Sequence, residues 1–454
     1  MFLLLTIYII FDKYNLIISA LRQNTTHFTE CSSIITVMDR IIFHIDQNCY
    51  FASVEMISKP YLRDVPMAVT GDASKRHGII LAKNELAKKA GVKTAEAIWQ
   101  AKQKCPDLVT VSSHYEDYAF YSGRLRQMYE EYSDKVEPFG MDECWVDMTD
   151  TIGDRDPREV ADEIRQRVKD EFKLTCSVGV SFNKIFAKFG SDYKKPDATT
   201  VITEDDFKEM IWPQPVSELL FAGGATAKKL AEVNIKTIGD LACSDRGFIT
   251  DYLGKPGDQL WLYANGLDDS PVRAADHERE LKSVGNTMTT PADIINRTQA
   301  AGTFRTLSSS VAARLRRHGL LGSCVQITVR DRDLNIYEHQ MMLFEPTSSE
   351  KVIFDSAMKL FDESYDWHAP LRGVGVRCTK LISEDSGVQI SMFPEQEQTK
   401  EEDDKLARTV DDINRRFGDG TVRSCATLQG VTNPNYDPEF YDGGITAGKK
   451  SPFA

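Results

Sequence analysis

The sequence predicts an α+β fold of several domains, beginning with a ferredoxin-like domain. Its 454 residues are enough for three or four domains with large cores. Through residues 40–181 the apolar pattern gives a strand, an inserted segment, a helix, two strands, a helix and a strand, which is a ferredoxin-like order. Residues 211–270 change to short helical pieces, and a second αβ unit begins at Ser283. We therefore expect two mixed αβ units separated by a helical region.

The elements of the first αβ unit follow from local periodicity. A strand is predicted over 40–46 and a helix over 49–58. The inserted segment contains two short strands, over 67–70 and 78–82, and helical segments that continue to residue 104. The later elements are a helix over 115–133, strands over 135–139 and 143–148, a helix over 157–172 and a strand over 174–181. The tyrosines of helix 115–133 recur at helical spacing, which favours a place in the core.

The elements of the second half are predicted in the same way. Residues 271–283 form a charged linker that follows the short helical pieces. The second αβ unit is predicted to contain a helix over 296–318, strands over 324–330 and 335–342, a helix over 349–364 and a strand over 371–381. A short amphipathic helix is predicted over 405–416.

Composition and charge limit the possible functions. The nine cysteines include no Cys-x-x-Cys pair, so neither a zinc site nor a disulfide framework is indicated, and a reducing cytosol is expected. The net charge of −13 does not favour binding to nucleic acid. That charge is unevenly distributed, because residues 384–454 carry 14 acidic and 8 basic residues, whereas residues 282–383 carry 13 basic and 10 acidic residues. A basic surface in the second αβ unit therefore remains compatible with the composition.

The first 37 residues are predicted to lie outside the folded domains. The apolar run from residue 2 to residue 10 is interrupted by Asp12 and Lys13, well short of the ~20 residues that a membrane span needs. No basic segment precedes it, so a signal peptide is also a poor match. Met38 stands directly before the first predicted strand. We expect Met38 to be the true start and residues 1–37 to be a misassigned or additional N-terminal segment.

Two acidic segments point to a metal site. The stretch Gly-Met-Asp-Glu-Cys-Trp-Val-Asp covers residues 140–147, and Asp46 ends the apolar run of the first strand. Neighbouring residues of a strand point to opposite faces, so Asp142 and Glu143 can reach one site only where a strand begins. Carboxylates that converge at strand ends would suit Mg²⁺ and two-metal phosphoryl transfer. The alternative is that these acids are ordinary strand-edge or helix-capping charges.

A third segment adds cations to this pattern. Residues 177–184 are Ser-Val-Gly-Val-Ser-Phe-Asn-Lys, where a strand leads into a helix, and a lysine-rich loop ends at Pro196. Lys184, Lys188 and Lys195 could each contact a phosphate as a point charge. Each lysine, taken alone, could equally be a solvated surface residue.

Together the three segments resemble the Y-family translesion DNA polymerases, in particular the DNA polymerase IV (DinB-like) branch. The resemblance consists of His-Ile-Asp followed by two aromatics and Ala-Ser-Val-Glu, then Met-Asp-Glu-x-x-x-Asp, then Ser-x-Gly-x-x-x-Asn-Lys-x-x-Ala-Lys and Lys-Pro. It extends from about Met38 to Leu428. It implies a ferredoxin-like palm with small fingers, a helical thumb with a helix-hairpin-helix, and an αβ little finger. The implied boundaries are 38–48 and 114–205 for the palm, 49–113 for the fingers, 206–270 for the thumb, 284–383 for the little finger and 384–454 for a tail.

The resemblance implies a DNA-directed DNA polymerase that extends a primer with two Mg²⁺ ions and low fidelity during damage bypass. Asp46 and Asp142 would bind the metals, and Glu143 would complete the catalytic site. The substrate-binding residues would be Gln47 through its carbonyl, Phe51 as the steric gate against ribose, Tyr50 packed beside Phe51, Lys88 in the fingers and Lys195 on the triphosphate. The fingers differ from relatives, which commonly carry Tyr-x-x-Arg where this chain has Glu85-Leu86-Ala87-Lys88. Glu85 cannot donate to phosphate when ionised, and Lys88 lacks a bidentate fork.

Further implied partners are primer–template DNA, deoxynucleotides and a sliding clamp. An apolar patch within acidic sequence resembles the clamp-binding peptide of bacterial polymerases, through Gln389, Ile390, Met392 and Phe393. The enzyme would act as a monomer in the cytoplasm, with no membrane attachment. The alternatives are a UmuC-like polymerase subunit of the same family, a clamp-bound scaffold without catalytic activity, and a palm-type nucleotide cyclase, which also uses carboxylate-bound metals.

Overall fold

A five-stranded sheet organises the N-terminal half, and a four-stranded sheet organises the C-terminal half. The computed structural model describes residues 40–71, 78–277, 280–386, 394–418, 421–423, 425, 427 and 430–431. The predicted N-terminal segment 1–37 and the predicted clamp peptide 389–393 lie outside the described residues.

The strands, in chain order, are β1 (Ile42–Gln47), β2 (Met67–Thr70), β3 (Ile80–Lys83), β4 (Val109–Ser112), β5 (Val136–Pro138), β6 (Glu143–Asp147), β7 (Cys176–Ser181), β8 (Thr199–Ile202), β9 (Ser283–Ile294), β10 (Leu320–Asp331), β11 (Ile336–Thr347) and β12 (Leu371–Ser383). The α-helices are α1 (Tyr50–Ser58), α2 (Glu85–Lys89), α3 (Ile98–Lys104), α4 (Tyr115–Glu130), α5 (Pro157–Phe172), α6 (Lys184–Tyr193), α7 (Phe207–Ile211), α8 (Gly224–Glu232), α9 (Ile238–Ala242), α10 (Arg246–Leu253), α11 (Lys255–Ala264), α12 (Arg297–Arg317), α13 (Glu350–Ser364) and α14 (Pro394–Phe417). Short 3-10 turns occur at Pro60–Arg63 and Val216–Glu218.

The five-stranded sheet has the order β5-β6-β1-β7-β8, with β1 at its centre. All pairings are antiparallel except that of β7 with β8. Helices α1, α4 and α5 pack on one face, where Phe43 and Ile45 enter the largest core. Helix α6 covers the opposite face, to which β1 contributes Ile42, His44 and Asp46, because side chains alternate along a strand. The ferredoxin-like arrangement predicted for this region is confirmed.

Caps fix the beginnings of the helices beside this sheet. Asp156 accepts hydrogen bonds from the amides of Arg158 and Glu159 at the start of α5, with proline at the first position. Asn183 accepts a hydrogen bond from the amide of Phe186 at 2.8 Å and begins α6. The predicted helix 115–133 is α4, and its Tyr118 and Tyr129 are buried as expected.

The inserted segment forms a separate three-stranded sheet with the order β3-β2-β4. Strands β2 and β3 correspond to the two predicted strands, whereas β4, which pairs in parallel with β2, was not predicted. Its sequence Val-Thr-Val-Ser has only two apolar residues, and its parallel pairing with β2 is a tertiary contact that a local pattern does not reveal. Asn84 caps α2 and also accepts a hydrogen bond from the amide of Met67, so it joins this helix to the sheet.

The short helices α7 to α11 share one core and form the predicted helical region. Gly223 caps α8. Phe221 has φ of 68°, a left-handed conformation that a bulky side chain rarely adopts. The following linker contacts the first sheet, because the amide of Arg273 donates to Glu137 at 3.0 Å and Val272 packs on Trp145 and Ile42.

The four-stranded sheet has the order β11-β10-β12-β9 and is antiparallel throughout. Helices α12 and α13 cover one face and build a second core with it. The predicted helices and strands of this unit are present, but β9 was missed because its Gly, Asn, Thr and Pro content weakens the strand signal. The predicted helix 405–416 is part of the longer α14, and Asp411 accepts from the Arg316 guanidinium at 2.7 and 3.0 Å. Among the described helices, none has the length and apolarity to cross a membrane.

Candidate active site

The acidic residues of the two N-terminal motifs meet at one end of the five-stranded sheet. Asp46 near the end of β1 is the register partner of Glu143, the first residue of β6. Asp142 lies directly before β6, and its carbonyl accepts a hydrogen bond from the amide of Gln47 at 3.0 Å. The structure therefore brings Asp46, Asp142 and Glu143 together at the beginning of a strand, as the sequence predicted.

Helix α6 brings the ammonium group of Lys188 to these carboxylates. Its Nζ lies 2.8 Å from Oε2 of Glu143 and 3.1 Å from Oδ2 of Asp46. It also lies 3.1 Å from Oδ2 of Asp192, one helical turn further along α6. The Lys188 side chain is 13% exposed, so its ion pairs with Asp46 and Glu143 are largely shielded from solvent, whereas Asp192 is 48% exposed.

Lys195 approaches the same site from the loop after α6. Its Nζ lies 2.7 Å from Oδ2 of Asp46 and 2.7 Å from Oδ1 of Asp192. Its side chain is 27% exposed, about twice as much as that of Lys188. Burial works against the charge on Lys195, but Asp46 and Asp192 outweigh it and raise the pKa. Lys184, by contrast, pairs with Glu137 at 2.6 Å and is not part of this cluster.

Glycine at position 179 allows α6 to lie this close to the sheet. A Cβ atom on Gly179 would lie 1.9 Å from the carbonyl oxygen of Ala187 and 2.4 Å from the amide nitrogen of Ser191. Both distances are impossible for non-bonded atoms, so any side chain at this point of β7 would displace the helix. The glycine of the Ser-x-Gly motif is thus explained by the close approach that places Lys188 at the carboxylates.

His44 also belongs to the site, although it was not among the predicted site residues. It is fully buried, its Nδ1 lies 2.8 Å from Oγ of Ser191, and its Nε2 lies 3.2 Å from Oε2 of Glu143. Burial lowers its pKa, despite the opposing effect of Glu143. The two-residue spacing from Asp46 is the signal that could have identified it, because residues i and i+2 of a strand share a face.

The surroundings of Asp142 and Glu143 shift the pKa values of these two carboxyl groups in opposite directions. Burial, followed by the charges of Asp46 and Glu143, raises the pKa of Asp142 to about 6. Burial also disfavours ionisation of Glu143, but His44 and Lys188 outweigh it and lower the pKa of Glu143 to about 2. Among the described residues, His44, Asp46 and Glu143 offer ligand atoms that lie within 4.8 Å of one another.

This donor set fits a divalent cation that prefers oxygen. Asp46 and Glu143 supply hard carboxylate oxygens within 4.8 Å of each other, and Asp142 lies directly before β6, close enough for their charges to raise its pKa. Carboxylate oxygens suit Mg²⁺. Burial, followed by repulsion from Asp46 and Glu143, raises the pKa of Asp142, and a bound cation would relieve the repulsion. The imidazole of His44 is a less suitable ligand for Mg²⁺ than these oxygens.

The aromatic residues of the first motif lie at the start of α1. The ring of Phe51 stacks on that of Tyr118, with centroids 4.2 Å apart and planes 10° apart, and it is half-buried. The Tyr50 hydroxyl donates to the carbonyl of Tyr118 at 2.6 Å, and its ring is buried. Tyr118 in turn donates to Glu55 at 2.7 Å. This network fixes the position of Phe51 and leaves part of its ring accessible.

Gln47 and Asn48 are buried between β1 and α1. The Gln47 amide group donates to the hydroxyl of Tyr129 at 2.8 Å, while its Oε1 has no hydrogen-bond partner among the described residues. Asn48 accepts a hydrogen bond from Ser177 at 3.0 Å and donates from its backbone to Thr175. The Asn48 side chain is thus held by β7 rather than turned toward the acids.

The predicted finger residues pair with each other. Lys88 lies 3.6 Å from Oε1 of Glu85 and is exposed. The Cys49 thiol donates to the same Glu85 oxygen at 3.3 Å, which links α2 to the residue before α1. Burial and Glu85 raise the pKa of this thiol to about 11. Asp147 accepts hydrogen bonds from the amide and the hydroxyl of Thr149, so its carboxylate is engaged locally at the end of β6.

Comparison with known proteins matches both halves of the chain to one family. Residues 45–192 match the impB/mucB/samB family, and residues 281–392 match the C-terminal domain of that family. A DNA polymerase IV of Acetivibrio thermocellus is 47% identical over 393 residues, which cover 86% of this chain and 98% of the relative.

Other relatives and a solved structure give the same result. DNA polymerase IV of Bacillus velezensis is 35% identical, and DNA polymerase IV 1 of Bacillus subtilis is 36% identical, each covering 86% of this chain and 94% of the relative. A solved chimeric Y-family DNA polymerase superposes with a TM-score of 0.68 at 23% identity, covering 76% of this chain and 99% of that chain. That structure supports the fold, and the sequence relatives support the family.

Proposed function

Because this chain belongs to the Y-family DNA polymerases of the DNA polymerase IV type and is a DNA-directed DNA polymerase, we propose that it extends primers past damaged template bases with low fidelity, using two Mg²⁺ ions. The observation that carries the proposal is the meeting of Asp46, Asp142 and Glu143 at one sheet end, with Lys195 beside them. Family membership excludes the nucleotide cyclase that the acidic residues alone had left open.

In this proposal each acid of the cluster has a role. Asp46 and Asp142 hold the metal ions together with the carbonyl of Gln47, and Glu143 completes the site beside the primer end. Two Mg²⁺ ions bound there would lower the pKa of the primer 3′-hydroxyl and stabilise the negative charge of the departing pyrophosphate. His44 and Lys188 hold the Glu143 carboxylate at 3.2 and 2.8 Å, so it needs little reorganisation before it acts.

The proposed nucleotide site lies between the sheet end and α1. Phe51 acts as the steric gate, since Tyr118 and Tyr50 prevent its ring from moving away from a ribose 2′-oxygen. Lys195 neutralises the triphosphate. Lys88 is a weaker second cation, because Glu85 lies 3.6 Å from its ammonium group.

In this proposal the helical region and the four-stranded sheet bind the DNA backbone. The turn before α8 presents amides at a helix N-terminus, where a phosphate would bind. Arg377 and Arg332 are exposed on or beside the strands of the second αβ unit, and Arg330 is half-buried beside them. These guanidinium groups would contact the template backbone without reading its sequence.

We propose further that a sliding clamp recruits the enzyme through Gln389, Ile390, Met392 and Phe393, and that the enzyme is a cytoplasmic monomer. The peptide is a short apolar patch in an acidic tail, and such a segment can order in the pocket of a partner. Calorimetry with a peptide spanning 384–398 and the cognate clamp tests this part separately. No measurable binding would remove the clamp from the proposal.

Primer extension tests the proposed activity and distinguishes the alternatives. The purified full chain should extend a primer on undamaged template with Mg²⁺, and should insert nucleotides opposite lesions at which a replicative polymerase stops. A clamp-bound scaffold would extend neither template. A UmuC-like subunit would need accessory subunits for activity, whereas a DNA polymerase IV would extend the primer alone.

A further inference from the structure

The ammonium group of Lys188 occupies a central position among the acids of the proposed catalytic site. It lies within 3.1 Å of carboxylate oxygens from three residues, Asp46, Glu143 and Asp192. Lys195 contacts Asp46 and Asp192 and is more exposed. Lys188 is therefore the lysine that links the two acids of the β1–β6 pair.

The backbone gives Lys188 little freedom to leave this position. Helix α6 lies against β7 at Gly179, where even a methyl group would meet the carbonyl of Ala187 at 1.9 Å. Ser191, on the same helix, donates to the carbonyl of Lys188 and lies 2.8 Å from Nδ1 of His44. The backbone of α6 around Lys188 is thus held close to the sheet. The ammonium group can therefore move only through changes in the side-chain torsions of Lys188.

The oxygens that Lys188 contacts are also those that would bind a metal ion. The proposed function assigns Asp46 to the metals and Glu143 to the same site, and a divalent cation would need their oxygens. Counting Asp142 and Asp192, four carboxylates face two lysine ammonium groups here. Removing the charge of Lys188 would leave the cluster more negative and these oxygens without their shared cation.

We propose that Lys188 is an internal counter-cation that competes with divalent metal for Asp46 and Glu143, and thereby keeps metal binding weak until a nucleotide triphosphate adds negative charge. The inference rests on the proposed function and concerns how that site is loaded. The lysine holds the carboxylates in position and neutralises them, so the free enzyme need not carry a fully occupied metal site. A triphosphate offers both lysines an alternative anion and shifts the balance toward metal.

The test measures metal affinity directly and without turnover. Free Mn²⁺ is titrated into the full chain and followed by electron paramagnetic resonance, without DNA, because DNA phosphates bind Mn²⁺ themselves. Lys188→Gln should bind Mn²⁺ about tenfold more tightly than wild type, since it removes a unit charge close to the ligand oxygens. Lys188→Met is a second neutral variant, to be used if the glutamine variant does not fold. Unchanged or weaker binding in a folded neutral variant overturns the proposal.

Two matched variants separate charge from packing. Lys188→Arg keeps the positive charge and should bind Mn²⁺ within about twofold of wild type. Lys184→Gln changes a buried lysine one turn earlier on α6, whose partner is Glu137 at 2.6 Å, and should leave Mn²⁺ affinity unchanged. Tighter binding in Lys184→Gln equal to that in Lys188→Gln would show a general effect of net charge and would overturn the proposal.

The outcome is distinguishable from failure of the proposed function. If wild type extends primers with Mg²⁺ but Lys188→Gln binds Mn²⁺ no more tightly, the counter-cation inference is wrong and the polymerase proposal stands. If wild type extends no primer under any metal condition, the proposed function itself is wrong.

Discussion

The two sheets of this enzyme differ in how far their side chains, including charged ones, are buried. In the five-stranded sheet every residue of β1 is buried, including His44 and Asp46, and their polar atoms contact groups of α6. In the four-stranded sheet the edge strand β11 is largely open, with Phe344 fully exposed. Arg377 on β12 is exposed as well, and Gly285 on the neighbouring strand leaves room for its side chain.

The proposed function would account for this difference. Chemistry on a phosphate needs carboxylates held in one arrangement, and burial between a strand and a helix provides that rigidity. Binding to the DNA backbone independently of sequence needs exposed cations that can adjust to the positions of the phosphates. We therefore expect changes in the buried site to cost stability or catalysis steeply, whereas changes on the open sheet should alter DNA affinity modestly.

The largest effect on stability is expected for Gly179→Ala, which would disturb the packing of α6 against the five-stranded sheet. The added methyl group would force α6 from the sheet and should lower the free energy of unfolding by ~3 kcal/mol or more, measured by urea denaturation. Gly123→Ala is the control, because no atom lies within 4 Å of a Cβ there and alanine favours the helix. Equal stabilities of the two variants would show that the close approach at Gly179 is unimportant.

Phe51→Ala tests whether the ordered ring of α1 has a function beyond packing. The preference for deoxynucleotides over ribonucleotides in single-nucleotide insertion should fall about 10²-fold, if the clash is worth on the order of 3 kcal/mol. Phe120→Ala, an exposed aromatic of α4, should leave the ratio unchanged. If Phe51→Ala also keeps the ratio of wild type, the ring serves only the core.

The pH dependence of stability should reveal the crowding of acids. A carboxyl group whose pKa is higher in the folded state than in the unfolded state lowers the free energy of unfolding when it ionises. For Asp142 this loss of stability is absent below the unfolded pKa near 4 and is complete above the folded pKa of about 6. In chelator, Asp142→Asn should therefore raise the free energy of unfolding by ~2 kcal/mol at pH 8 and change it little at pH 4.

Thermal or urea unfolding of both proteins at several pH values measures this difference. A gain in stability that is the same at pH 4 and pH 8 would contradict the account, since an effect of packing alone does not depend on the ionisation of Asp142.

The smallest effect is expected on the open sheet. Arg377→Ala should weaken primer–template binding a few-fold and reduce the slope of log affinity against log salt by about one. Arg297→Ala is the control, because that guanidinium pairs with Asp362 between the helices on the other side of the sheet. Fluorescence anisotropy over a salt series provides the measurement, and identical slopes for Arg377→Ala and wild type would exclude a phosphate contact.

The sequence predicted most of the fold because its elements have clear local signals. Alternation along β7 and helical spacing along α4 and α5 were sufficient to define those elements. The meeting of Asp46, Asp142 and Glu143 at one sheet end could be predicted because adjacent carboxylates at the start of a strand are unusual. The strand β9 could not, since its core residues Val284 and Met288 are separated by glycine, asparagine and threonine, and pairing with β12 stabilises it instead.

The arrangement around the carboxylates depends on tertiary contacts that local patterns do not encode. Whether Lys188 faces acids or solvent is decided by how closely α6 approaches β7, over a distance that one glycine controls. In the sequence His44 lies within an apolar run. Its contact with Glu143 is apparent only once β1 and β6 are paired. Phe221 likewise fills a left-handed position against the local preference.

The measurement that most directly tests the central claim is single-nucleotide insertion by Glu143→Gln, together with its affinity for primer–template DNA. Glutamine keeps the size of the side chain and removes the charge beside Asp46, so the maximal insertion rate should fall at least ~10³-fold while the variant stays folded and its DNA affinity stays close to wild type. An insertion rate within tenfold of wild type would contradict the assignment of this carboxylate cluster as the catalytic site.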